Sequence, residues 1–152
     1  MTGLDAGPQA LSGAEVAHLR HELRTPVNQI VGYCQMLLED AQEADLAHRR
    51  PLLELALAAV REATAIIDTA LPANVSTVEQ ENILTLYQSL HQPRSRIIEA
   101  MSALLHEHPG DADEVYIADV CRIRDAAERL LPTDRRRAEH TTEFSVTGML
   151  VQ

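Results

Sequence analysis

Apolar residues along the chain fall into four stretches with steps of three and four, the spacing of helices that each bury one face. The first follows Ser12-Gly13-Ala14-Glu15, a capping-box pattern in which two side chains satisfy two orphan helix donors. Val16, Leu19, Leu23, Ile30, Cys34 and Leu37 then recur, with Pro26 filling the gap. The pattern predicts one long helix with a coiled-coil-like seam, running to about Asp40. A polar stretch from Ala41 to Arg50 leads to Pro51, whose missing N–H costs nothing in a first helical turn. Leu52, Leu55, Ala59, Ala63, Ile66 and Ile67 mark a second helix, ended by Pro72 and Asn74. Ser76-Thr77-Val78-Glu79 reads as another capping box, opening a third helix with the stripe Ile83, Leu86, Leu90, Ile97, Met101 and Leu104. Pro109-Gly110 breaks it. Asp111-Ala112-Asp113-Glu114 then caps a fourth helix through Val115, Ala118, Ile123, Leu130 and Leu131, closed by Pro132.

Four helices with short connections imply an all-α fold, an antiparallel four-helix bundle made of two helical hairpins. The expected organisation is a flexible leader over 1–11, a first hairpin over 12–72, a second over 73–132, and a linker or tail over 133–152. The second hairpin reads as a degenerate copy of the first. Setting Leu19–Asp40 on Leu86–Glu107 without gaps places Pro26 over Pro93, and mid-helix proline is costly and rare. Glu54–Pro72 falls on Glu114–Pro132 once the connection is shortened by seven residues. Such a chain would fold as a monomeric pseudo-dimer, with a homodimer as the other possibility.

Composition narrows the function. Hydrophobic residues make up 45% and aromatic ones 3%, so the core must be aliphatic, which suits packed helices. The net charge of −10 argues against a nucleic-acid partner and against an anionic membrane face. No apolar run approaches the roughly 20 residues of a spanning helix, and Met1-Thr2-Gly3-Leu4-Asp5-Ala6-Gly7 has no signal-peptide character. Cys34 and Cys121 are far apart and read as structural thiols in a reducing, cytoplasmic setting. Glu15 and His18 have the spacing of a metal-ligand pair but lack partner carboxylates, so an exposed helix face is the expected reading. His106-Glu107-His108 reads as a helix end favourable to imidazole. No metal is expected.

The chemistry concentrates at His21. His21 and Thr25 are four apart on one helix face, with Glu22 alongside. The imidazole lies two residues before the seam residue Leu23 and should point partly to solvent. Glu22 could take a proton from one ring nitrogen while the other attacks phosphorus. Pro26 removes the N–H that would bond the Glu22 carbonyl and should kink the helix below the site.

The string His21-Glu-Leu-Arg-Thr-Pro-Val-Asn-Gln-Ile-Val-Gly-Tyr-Cys-Gln-Met-Leu-Leu38, eighteen consecutive residues, resembles the H-box of the dimerisation and histidine-phosphotransfer (HisKA-type) domain of two-component sensor histidine kinases. The resemblance implies that His21 is the phosphoacceptor and that Glu22 assists as general base. It also implies that Thr25 positions water when such proteins dephosphorylate their response regulator. The family fold is a helical hairpin, two of which pack into a four-helix bundle. At the corresponding positions the second hairpin carries Gln88, Ser89 and Gln92, a site without a nucleophilic imidazole. The family's ATP-binding domain has no counterpart here, since the six glycines form no G-x-G loop. ATP and Mg²⁺ would therefore act only through a separate kinase or a missing domain, and the chain itself should bind no cofactor.

Two functions remain open. One is a phosphotransfer module, in which His21 accepts a phosphoryl group and passes it to an Asp of a response-regulator receiver domain. The alternative is a non-catalytic docking or signal-transmitting bundle with a vestigial His21. Thr147-Gly148-Met149-Leu150-Val151 resembles the opening strand of a receiver domain, so a continuation into one is expected.

Overall fold

The computed structural model describes residues 10–107 and 113–131. Strand β1 (Ala10–Ser12) leads into helix α1 (Gly13–Asp40), and a 3-10 turn at Ala44–Arg49 leads into α2 (Arg50–Ala70). Strand β2 (Thr77–Glu79) leads into α3 (Gln80–Glu107), and α4 (Glu114–Glu128) completes the chain of elements. The fold is an all-α helical bundle with one small ribbon of two strands.

Local chemistry explains most helix ends. Ser12 and Glu15 form the expected capping box, Ser12 N–H donating to Glu15 Oε1 at 2.8 Å and Glu15 N–H to Ser12 Oγ at 3.2 Å. Pro51 sits in the first turn of α2. Asp113 caps α4, its carboxylate accepting from the Val115 N–H at 3.0 Å. Pro26 and Pro93 both lie inside helices that continue past them, and both are buried. The expected break at Pro109-Gly110 and the tail from Pro132 onward lie outside the described residues.

Each helix packs on two others, in the ring order α1, α2, α3, α4 and back to α1. Neighbours are antiparallel. Arg20, early in α1, donates to the carbonyls of Leu71 and Pro72 beyond the end of α2, and Arg122 of α4 lies over the Tyr33 ring late in α1. One core cluster holds Leu23, Ile30, Leu53, Ile67, Leu90, Ile97, Met101 and Ile123, all fully buried. Each such aliphatic side chain contributes about 1.5–3 kcal/mol by leaving water.

The two hairpins repeat in structure. α1 and α3 are both 28 residues long and start 67 residues apart (80 − 13). At that offset Val16, Leu19, Leu23, Pro26, Ile30, Cys34 and Leu37 correspond to Ile83, Leu86, Leu90, Pro93, Ile97, Met101 and Leu104, all buried. In α2 and α4 the offset is 60 (114 − 54), and Ala56, Ala59, Val60, Ala63, Ile67 and Leu71 match the buried Tyr116, Asp119, Val120, Ile123, Ala127 and Leu131. The strands obey the first offset too. They pair antiparallel with Leu11 opposite Val78, its own counterpart, flanked by Ala10 opposite Glu79 and Ser12 opposite Thr77. Two equivalent strands related by a two-fold axis pair in this way.

Four expectations need correction. Ser76 to Glu79 is no capping box: Thr77–Glu79 is a strand and α3 starts at Gln80, because pairing with β1 uses these backbone groups. For the same reason Ala10 and Leu11 are strand residues rather than the end of a loose leader. The α2 stripe is rotated: Leu53, Ala56 and Val60 are buried, while Leu55 is 46% exposed and Leu52 and Ile66 are half-buried. Val115 at the start of α4 likewise faces out, and Tyr116 takes the core position. Arg49 stacks on Tyr116, its guanidinium carbon 3.5 Å from the ring centroid.

Candidate phosphoacceptor site on the first hairpin

Seam and site share α1. Leu19, Leu23 and Pro26 face the core, so helical geometry turns His18, His21, Glu22 and Thr25 outward, and all four are exposed. An imidazole placed this way can be reached by a large donor and a large acceptor. Thr25 Oγ1 donates to the His21 carbonyl at 2.9 Å, which ties the hydroxyl to the helix turn that carries the imidazole. Pro26 has no N–H for the Glu22 carbonyl, so the backbone beneath the site has an acceptor free of its usual intrahelical partner.

Glu22 is not idle. Its Oε2 lies 3.1 Å from His18 Nε2, with the two side chains 41% and 72% exposed. Sequence reasoning weighed His18 only with Glu15, which the structure instead places in the capping box with Ser12. The signal for the true pair was the i,i+4 spacing of His18 and Glu22.

The site is anchored on both flanks. Towards α2, Arg20 donates to the carbonyls of Leu71 and Pro72 at 3.1 and 3.3 Å, a cation where a helix C-terminus presents unpaired oxygens. Arg24 forms an ion pair with Asp68 of α2. Towards α4, Arg129 donates to Gln29. No group of three or more His, Cys, Asp or Glu among the described residues could hold a metal ion.

The corresponding place on α3 is different. Gln88, Ser89 and Gln92 are also exposed. Gln92 accepts from Arg96 at 2.8 Å, and Arg96 bonds Glu62 of α2 at 2.7 Å, so a polar bridge ties this face down. Beside Ser89 lies an open groove of about 530 Å³ between α2 and α3, lined by Ala65, Ile66, Thr69 and Leu86. It has no imidazole.

No helix among the described residues is long and apolar enough to cross a membrane. No curated protein and no solved structure matches the chain. The family model for the His Kinase A (phospho-acceptor) domain matches residues 12–71, from the cap of α1 to the buried Leu71 just after α2. The first hairpin, residues 12–71, is thus similar to a His Kinase A phospho-acceptor domain, and the second hairpin lies outside that match.

Proposed function

We propose that the chain is a histidine phosphotransfer module: His21 accepts a phosphoryl group from a separate ATP-binding kinase domain and passes it to an Asp of a receiver domain. The observation that carries this reading is the exposed His21 imidazole beside Glu22 and Thr25 on a helix whose opposite face is fully buried. In the forward step the lone pair of one ring nitrogen attacks phosphorus. An N–P bond forms, the P–O bond to the leaving group breaks, and the proton on the other ring nitrogen passes to the Glu22 carboxylate. Transfer onward reverses these roles, with an Asp carboxylate as nucleophile. Thr25 orients water in the competing loss of phosphate from the receiver.

The same reading makes the chain a complete bundle by itself, its second hairpin standing where the family uses a second copy. The two-fold strand register supports this, and so does the matched burial of the two hairpins. ATP and Mg²⁺ act through a kinase domain, either on a separate protein or missing from this sequence, and not through the bundle itself. The test is to incubate the chain with a histidine kinase domain, ATP and Mg²⁺. An acid-labile, base-stable phosphate should form on His21 and chase onto an added receiver domain. Label that persists in His21→Ala, or no label with any competent kinase, rejects the proposal and leaves a non-catalytic docking bundle.

A further inference from the structure

We infer that His18 is a positioning residue of the phosphoacceptor site, holding Glu22 and locking it when protonated; this rests on the reading of His21 given above. The geometry is direct: His18 Nε2 is 3.1 Å from Glu22 Oε2. Glu22 therefore meets the imidazole one turn back, while His21 is its neighbour in the chain.

A neutral His18 with its proton on Nε2 donates one ordinary hydrogen bond. That bond orients the carboxylate and leaves its second oxygen for the His21 ring proton. A protonated His18 is a cation facing the same carboxylate, and charge-assisted hydrogen bonds are roughly twice as strong as neutral ones. Glu22 is then held towards the preceding turn, away from His21. The atoms of the transfer step are unchanged; only the availability of its proton acceptor differs.

Symmetry supplies independent support. At the 67-residue offset His18 corresponds to Thr85 and Glu22 to Ser89. Thr85 Oγ1 merely donates to the carbonyl of Glu81 in its own helix, at 3.1 Å. The hairpin without an acceptor imidazole thus lacks both members of the pair.

The surrounding charges are engaged elsewhere. On α1, Glu15 bonds Ser12, Arg20 bonds the carbonyls after α2, and Arg24 pairs with Asp68 of α2. On α4, Arg122 pairs with Asp119 and Arg129 bonds Gln29. Asp125 and Glu128 of α4, and Glu79 of the ribbon, make no ion pair with His18 among the described residues. Within the site, His18 is the side chain that Glu22 meets.

The test follows initial rates of His21 labelling by phosphoramidate in the full chain, the His18→Gln variant and the His18→Ala variant. Gln keeps an N–H donor but cannot titrate. Dividing the parent rate by the His18→Gln rate cancels every pH effect that the two chains share. That ratio should fall several-fold between pH 8 and pH 5.5, where a merely structural side chain would leave it flat. At pH 8 His18→Ala should be several-fold slower than the parent, and His18→Gln should recover most of that loss. A flat ratio, or a His18→Ala variant as fast as the parent, overturns the positioning role while His21 is still labelled. A parent chain that gains no His21-dependent label overturns the phosphoacceptor reading and this inference together.

Discussion

The two hairpins keep the same buried face and differ in what they expose. From Val16 to Leu37 and from Ile83 to Leu104 every seam position is filled by a buried apolar residue, proline included. On the outer face His18, His21, Glu22 and Thr25 give way to Thr85, Gln88, Ser89 and Gln92. Packing constrains the seam on both sides of the bundle, because a lost side chain leaves a cavity. The outer face is constrained only where chemistry uses it. The contrast separates residues that build the bundle from exposed residues that packing leaves free to differ.

The comparison can be broken most decisively at the imidazole. His21→Ala should abolish labelling by a kinase domain completely. In that background Gln88→His with Ser89→Glu should restore measurable label on the second hairpin, read by phosphopeptide mapping. If it does not, the second face is no longer equivalent in access. Glu22→Gln should slow labelling by on the order of 10²–10⁴-fold, the usual worth of a general base, with an unchanged helical circular dichroism spectrum because the side chain is exposed.

Stability tests the seam instead. Leu23→Ala and Leu90→Ala are symmetry mates, each fully buried, and each should cost about 2–5 kcal/mol in denaturant unfolding. A large inequality would show that one hairpin carries the other. The buried Asp119 stands where the first hairpin has Ala59, and its partner Arg122 is largely exposed. Asp119→Ala should therefore change stability by only about 1 kcal/mol, since removing a buried charge along with its weak partner contact is often near neutral.

The smallest effect concerns the thiols. Burial pushes the Cys34 thiol up to about 12. Because its folded value is raised, its contribution to stability is intact below the ordinary 9.0 and is lost as pH rises from there towards 12. Unfolding midpoints should fall in that window and fall less in Cys34→Ser, after allowance for the loss caused by the polar hydroxyl. At pH 8 an alkylating reagent should modify the half-buried Cys121 before Cys34.

Much of this was legible in the chain. Long seams with unambiguous spacing gave α1 and α3, and Pro26 over Pro93 exposed the repeat. The likeness of the string His21 to Leu38 to the family's H-box was readable because its residues are consecutive on one helix. The ribbon was not, because Ser76-Thr77-Val78-Glu79 carries the same local signal as Ser12 to Glu15. The counterpart of Ser12 is in fact Glu79, three residues later than Ser76, and only pairing with a distant strand reveals it. The face of α2 was misjudged because apolar residues sit side by side at 52–53, 55–60 and 65–67. With two equally periodic choices, the flanking helices decide which one is buried. The His18–Glu22 contact was masked by Glu15, which has an equally helical spacing to His18.

The short crossing from Leu71 to Thr77 joins the two hairpins into one polypeptide. In an assembly of identical halves every inherited change appears twice, so neither half can acquire a new surface without imposing it on the other. A joined pair is free of that rule: each change appears once. One half can retain the chemistry while the other drifts towards a different purpose, with the shared interior holding both in register.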